Sequence, residues 1–275
     1  MLLPLLVSTA VAVSPDAPDS AINAPDSKLR ARFSAELGVL APLHHTIQFD
    51  QDGTKFDYVA EGGQNNLFPF TRLQADLDIG DKNSVIFLYQ PLDLNSEVVL
   101  DHDIMEADVD FPAGTPLRLR YGFSFVRASW LHDLAPGPKK ELALGLSLQI
   151  RNATIDFASQ DGTLFTGERD IGPVPILKFR GRFPLQDRAW LGAEVDGFYA
   201  PIKYLNGGTV DVVGAIVDGS LRAGIARKNG MDLFLNLRTI AGGSSGTSDS
   251  PDALGDGYTD NWLVFSALSL GTSLR

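Results

Sequence analysis

Residues 142–151 read Leu-Ala-Leu-Gly-Leu-Ser-Leu-Gln-Ile-Arg, so that every second residue is large and apolar. Successive side chains of a β-strand point to opposite faces, so the leucines and Ile150 share one face. The other face carries Ala143, Gly145, Ser147, Gln149 and Arg151. This period of two predicts a β-strand with one apolar face and one polar face.

The same alternation recurs along most of the chain. It covers residues 31–41, 68–79, 83–97, 115–130, 174–184, 188–203, 209–227, 231–242 and 261–275. Short turn-forming stretches at 80–83, 135–138, 185–188 and 228–230 alternate with longer polar stretches at 42–66, 98–114, 157–172, 203–208 and 243–260. Short turns at one end and long loops at the other are typical of outer-membrane barrels. We predict an all-β, antiparallel up-and-down barrel of about ten strands, with short periplasmic turns and long extracellular loops.

The composition excludes several other classes of protein. The chain of 275 residues has no apolar run of about 18 residues, the length that a transmembrane helix requires. It has no cysteine, which excludes disulfides and thiolate metal sites. Its net charge of −11 argues against a nucleic-acid partner, because phosphate binding needs a basic surface.

The chain divides into three parts of unequal length. Residues 1–13, MLLPLLVSTAVAV, resemble the apolar core and small-residue site of a secretory signal peptide. Residues 14–29 are rich in Pro, Asp, Ser and Ala and are predicted to form a disordered spacer. Residues 30–275 contain the ten predicted strands and form the predicted barrel.

With these strands and loops, the chain resembles small bacterial outer-membrane β-barrel proteins of about ten strands. The resemblance rests on alternation and loop length, and no family-specific motif accompanies it. It implies a location in the outer membrane and contact with its lipid and lipopolysaccharide. We further expect a monomer.

The polar strand faces carry charges of both signs in nearly equal number, and arginine is the main cation. Arginine pairs with carboxylates in planar, partly buried geometry better than lysine does. We therefore assign the polar faces to the lumen and predict that ion pairs plug it. The predicted lumen network consists of Arg72, Asp76, Arg118, Arg120, Arg151, Lys178, Arg180, Arg182, Glu194, Asp196, Asp218, Arg222 and Arg238. The alternative is a soluble lipocalin-like barrel, in which the apolar faces point inward.

The loop around residues 97–110 is strongly acidic and contains no lysine or arginine. Clustered carboxylates suit Ca²⁺ or Mg²⁺, although no spacing here matches an EF-hand loop. The candidate cation-binding loop consists of Asp101, Asp103, Glu106, Asp108 and Asp110. We predict at most weak binding of Ca²⁺ or Mg²⁺ and no other cofactor. A solvated acidic surface is the alternative.

The sequence favours a structural or surface-interaction role without catalysis. Wide aqueous channels come with 16 or more strands, so a narrow porin-like channel for small solutes is the second hypothesis. The third is an outer-membrane enzyme, either an omptin-like protease or a lipid-modifying enzyme, suggested by His102 between Asp101 and Asp103. The paired Asp and His motifs of omptins are not reproduced, and we assign no catalytic residue.

Overall fold

In a computed structural model, the chain forms a closed β-barrel. The structure describes residues 28–137, 140–185, 187–201, 211–227, 230–248 and 255–274. The predicted signal peptide, residues 1–13, and all but the last two residues of the predicted spacer lie outside this part of the chain. Among the described residues, no helix is long and apolar enough to cross a membrane.

The described residues form strands in the order expected from the alternation. These strands are β1 (Leu29–Phe49), β2 (Phe56–Asp57), β3 (Phe68–Ile79), β4 (Asn83–Gln90), β5 (Asp93–Val99), β6 (Ile104–Glu106), β7 (Val109–Phe111), β8 (Pro116–Asp133), β9 (Glu141–Ser159), β10 (Phe165–Pro184), β11 (Ala189–Pro201), β12 (Asp211–Ala226), β13 (Met231–Thr247) and β14 (Tyr258–Leu274). Most long strands pair antiparallel with the next one along the chain, and β14 pairs with β1 to close the barrel.

The barrel wall contains ten strands, which confirms the predicted fold. Strands β4 and β5 are two halves of one wall strand, because both pair with β8 in a single register. Gln90 lies opposite Phe125 and Asp93 lies opposite Gly122, with Pro91 at the interruption. The β6–β7 hairpin and the short β2 belong to the extracellular connections.

A belt of apolar side chains surrounds the barrel on its outer surface. On β9, Leu144, Leu146 and Leu148 are between 49% and 60% exposed, whereas Ser147 and Gln149 on the opposite face are buried. Other exposed apolar residues continue the belt on the remaining strands, including Phe33, Leu37, Phe87, Trp130, Leu177, Leu191, Leu221, Leu237 and Leu270. About five outward residues per strand match the 9–11 residues that a β-strand needs to cross a bilayer. The lipocalin-like assignment is therefore wrong for this part of the wall.

Beyond the belt, towards the extracellular loops, the two strand faces exchange their chemistry. On β8, Arg127 and Ser129 face the interior within the belt, but Leu117 and Leu119 face it near the extracellular end. Each of these four residues is odd-numbered, so the strand keeps its orientation while its surroundings change from lipid to water. We call the part above the belt the extracellular head.

The extracellular head resembles a β-sandwich more than a barrel. In the described residues, the ladder between β3 and β4 ends at the pair Leu73–Tyr89, and that between β10 and β11 ends at Leu177–Gly197. Pro91 lies just beyond the first end and Pro175 just beyond the second, and proline cannot donate a ladder hydrogen bond. Above these points, β5, β8, β9 and β10 form one sheet that faces the ends of β1, β13 and β14 across an apolar core.

Candidate functional site

The lumen at the level of the belt is filled by charged side chains that reach across it. Glu194 on β11 lies at the centre of this network. Its Oε2 is 3.2 Å from Nη2 of Arg72, which comes from β3 on another side of the barrel. Its carboxylate also contacts Arg222 at 2.9 Å and Lys178 at 3.4 Å.

Further ion pairs connect other strands across the lumen. Arg127 on β8 contacts Asp196 at 2.9 Å and Asp218 at 3.2 Å. Arg180 on β10 lies 2.7 Å from Asp76 on β3. A second group surrounds Glu36, which accepts hydrogen bonds from Arg222, Asn236 and Ser269 at 3.0, 2.7 and 2.9 Å.

The network is balanced in charge. Two flanking pairs, Arg32–Asp78 and Arg182–Asp232, add equal numbers of both charges to a core that, among the described residues, contains six cations and six anions. They are Arg72, Arg127, Lys178, Arg180, Arg222 and Arg238, and Glu36, Asp76, Glu141, Glu194, Asp196 and Asp218. A buried charge is tolerated only when it is paired and hydrogen-bonded, so this balance is a requirement of burial.

The structure places ten of the thirteen predicted lumen residues in or next to this network. They are Arg72, Asp76, Lys178, Arg180, Arg182, Glu194, Asp196, Asp218, Arg222 and Arg238. Arg182 pairs with Asp232 at 2.8 Å and stacks on Trp190 with its guanidinium carbon 4.0 Å from the ring centre. The side chain of Arg151 lies outside the described residues.

The assignment of Arg118 and Arg120 to the lumen is wrong. Both lie on the outer face of the extracellular head, where Arg120 pairs with Asp93 at 2.9 Å. A single apolar face along the whole of β8 would include position 127, so alternation alone does not place Arg127 in the lumen, where it is buried. The signal that identifies Arg127 is the change of apolar parity at Phe125 and Val126, two adjacent apolar residues on opposite faces.

Water has access to the lumen from the periplasmic end. A cavity of about 970 Å³ opens there and is lined by charged residues that include Arg30, Lys82 and Lys140. Trp190 and Arg182 form part of its inner wall and also line a smaller cavity of about 50 Å³, which reaches Glu194. The smaller cavity has room for a few water molecules. The larger cavity, which opens to the periplasm, thus ends at the charged network.

The extracellular end is closed by the apolar core of the head. The ring of Tyr121 on one sheet lies edge-on to His45 on the other, with ring centres 4.2 Å apart. Phe56 and Tyr58, from the first extracellular loop, contact Phe157 with ring centres 5.3 and 5.7 Å apart. These side chains are buried, so the apolar core blocks the path above the charged network.

The structure does not bring the five residues of the candidate cation-binding loop together. Asp101 is 86% exposed and contacts His102, whereas Asp103 accepts a hydrogen bond from the Ala113 amide. Asp108 and Asp110 are exposed, and Glu106 is fully buried in the β6–β7 hairpin. Within the described parts of the chain, no group of three or more His, Asp or Glu side chains is arranged to hold a metal ion. Weak binding of Ca²⁺ or Mg²⁺ stays a prediction of the sequence.

Glu106 instead is a buried acid of the extracellular head. One of its oxygens accepts a 3.4 Å hydrogen bond from the Phe49 amide, and the other has no partner among the described residues. Burial raises the pKa of Glu106 from its ordinary value of 4.5 to about 9. The side chain therefore carries a proton at neutral pH.

Replacing Glu106 by glutamine should remove a pH dependence of stability. Between about pH 4.5 and pH 9 the folded protein holds one more proton on Glu106 than the unfolded chain, so stability falls as pH rises through this window. Glutamine does not titrate, so Glu106→Gln should not lose stability in this window. The difference in unfolding free energy between the variant and the wild type should therefore grow in favour of the variant from pH 5 to pH 9, to a few kcal/mol. The measurement is the temperature of the folded-to-unfolded band shift on electrophoresis as a function of pH. The exposed Glu97→Gln is the control, and parallel pH curves for Glu106→Gln and wild type would contradict the assignment.

Comparisons with known proteins agree with the architecture. No protein-family model matches the chain, and no curated protein matches it. Among solved structures, the outer-membrane protease OmpT from Escherichia coli is similar with a TM-score of 0.53 and 11% identity, over 89% of this chain and 96% of that chain. The attachment invasion locus protein Ail of Yersinia pestis (TM-score 0.35, 9% identity, 89% and 99% coverage) and the toluene transporter TodX of Pseudomonas putida (0.36, 11%, 92% and 91%) are more distant.

At these identities the similarity concerns the fold. The comparison, the ten-stranded closure and the apolar belt agree with one another. The chain is a transmembrane β-barrel of the bacterial outer-membrane type, and the outer membrane is its location.

Proposed function

We propose that this protein is a sealed, non-conducting outer-membrane barrel whose extracellular head has a structural or surface-interaction role. The observation that carries the proposal is the filling of the interior by two layers of side chains above the periplasmic cavity. The charged network occupies the lumen at the level of the belt, and the apolar core of the head lies above it in series. A solute would have to displace both layers to cross the membrane.

Three histidines of the described chain bond to amide or carboxylate side chains. His45 bonds to the Gln64 amide oxygen, His132 to Asn83 and His102 to Asp101. These contacts do not form the nucleophile–base pair that covalent catalysis requires. A protease or lipid-modifying activity has no arrangement of described residues in its favour.

Electrical recording tests the sealed-barrel proposal. We expect the refolded full chain to produce no discrete conductance steps in a planar lipid bilayer at molar potassium chloride. Tyr121→Ala, which loosens the core of the head, should also be silent, because the charged network below remains in place. Insertion is verified by the folded band on electrophoresis. Discrete steps from the wild-type protein would instead support the narrow channel.

A further inference from the structure

We propose that strand β5 is a docking edge for an extended, basic segment of another protein, which would add to the sheet as a further strand. The inference rests on the proposed surface-interaction role of the extracellular head and names the partner chemistry of that role. Strand addition to an exposed sheet edge is a general mode of peptide recognition, in which backbone hydrogen bonds supply the affinity.

The first observation is the hydrogen-bond pattern of β5. The amide of Phe123 donates to the Leu92 carbonyl at 2.8 Å, and the amide of Leu100 donates to the Thr115 carbonyl at 3.1 Å. In an antiparallel pair the bonded residues alternate, so even-numbered residues face β8 and odd-numbered ones face away. The N–H and C=O groups that point away from β8 belong to Asp93, Asn95, Glu97 and Val99.

These four residues have no strand partner on their open side. Strand β3 separates from this wall strand above Leu73, so β5 pairs with β8 alone. Within residues 28–137, which the structure describes without a gap, no backbone hydrogen bond from the open side of β5 is found. Proteins normally cover or block such an edge, because it pairs readily with other strands.

The segment that covers part of this edge is held to it without backbone hydrogen bonds. Gly63 passes next to β5, and a Cβ atom added to it would lie 3.0 Å from Cγ1 of Val98 and 3.6 Å from the carbonyl oxygen of Glu97. Gly63 has a φ of +70°, which glycine adopts at little cost. An incoming strand would break no backbone hydrogen bond to β5, but it would have to move Gly63 aside while the buried Gln64 stays bonded to His45 and Tyr58.

The negative charge around the edge of β5 favours a positively charged partner. Residues 91–110 contain no lysine or arginine, and six of their carboxylates are exposed. They belong to Asp93, Glu97, Asp101, Asp103, Asp108 and Asp110. The neighbouring strand supplies two cations on this face: Arg120 pairs with Asp93 at 2.9 Å, and Arg118 lies opposite Glu97. The other four exposed carboxylates lie beyond this strand pair and give the region its net negative charge. If an added strand carries lysine or arginine at every second position, these cations lie on one face of the sheet. That face can be the outer one, which also carries Asp93 and Glu97.

The test uses the full chain in nanodiscs of zwitterionic lipid and end-blocked heptapeptides as probes. The first peptide alternates lysine with threonine, the second replaces lysine by glutamate, and the third is the lysine peptide with alternate amides N-methylated. We expect only the first to bind in calorimetry and to slow amide hydrogen exchange in residues 91–100. Equal binding of the N-methylated peptide would show adsorption to an acidic surface and would overturn the proposal, as would no binding of any peptide.

A pair of variants tests the same edge from the protein side. The Asn95 amide points away from β8, so Asn95→Pro removes an edge donor while leaving the β5–β8 ladder intact. We expect it to weaken binding of the lysine peptide about tenfold, the effect of one or two lost hydrogen bonds. Asn95→Ala keeps the amide and should bind like the wild type. Unchanged binding by Asn95→Pro would refute the docking edge, whereas the sealed lumen is tested separately by conductance.

Discussion

Glu194→Gln should destabilise the barrel by about 3–5 kcal/mol, the usual effect of removing one partner from a buried ion pair. The carboxylate of Glu194 contacts Arg72, Lys178 and Arg222, so its neutralisation leaves three buried cations with too little opposing charge. Glutamine has nearly the same shape, and the loss is therefore electrostatic. Urea unfolding in lipid vesicles measures the effect, and Glu97→Gln on the exposed outer face provides a control that should change stability by less than about 0.5 kcal/mol.

The partner of Glu194 can be tested in the same experiment. Lys178→Met removes a cation that contacts Glu194 and Asp196, and alone it too should destabilise the barrel. The double variant restores the charge balance of the network, so it should be more stable than the sum of the two single effects predicts. Additive effects would mean that the two side chains do not interact in the folded barrel.

Leu146→Arg should prevent or strongly weaken insertion, because a cation on the lipid face near the middle of the bilayer costs about 2–4 kcal/mol. Leu146 is 60% exposed within the apolar belt. Asn152→Arg is the matched control, since Asn152 lies on the same strand and the same outer face, but beyond the belt. The fraction of folded protein after refolding into lipid vesicles measures both variants. Equal losses at the two positions would contradict the placement of the bilayer on β9.

The belt region could be predicted from the sequence because lipid makes one strand face uniformly apolar. Strand β3 occupies the predicted residues 68–79, and the closing strand β14 lies within three residues of its predicted start. The short turn predicted at residues 80–83 joins β3 to β4, with Gly80 at a φ of +64°, whereas the other three predicted short turns lie partly outside the described residues. In the belt, whether a residue faces lipid or the lumen depends only on whether its position in the strand is odd or even.

The extracellular head could not be predicted in the same way, because alternation does not reveal which side of a strand faces water. Residues 157–172 look like a polar loop, yet β9 continues to Ser159 and β10 begins at Phe165. Near the extracellular end of β9, Ile155 and Phe157 face a protein core, the reverse of the belt, where the apolar residues face lipid. The transition is marked by a change of apolar parity, as at Phe125 and Val126.

The contacts of individual charged residues are still harder to predict from sequence patterns. Whether Arg72 meets Glu194 depends on strand tilt and on the stagger of the whole barrel, which alternation does not specify. Glu106 is a different case. It belongs to an acidic run, but a turn with positive φ at Ala107 and Asp108 makes a hairpin that buries its side chain.

The cross-lumen ion pairs also constrain the order of events during assembly. Arg72 and Glu194 are separated by 122 residues, and Arg222 and Glu36 by 186. Such distant partners meet only after most of the chain has been organised, when β14 joins β1. A partly assembled sheet would therefore contain arginines and carboxylates whose ion-pair partners lie on strands that have not yet joined. Unpaired charges are costly inside the membrane. We expect few stable half-inserted states, so that strand insertion and barrel closure take place as one concerted, late and slow step.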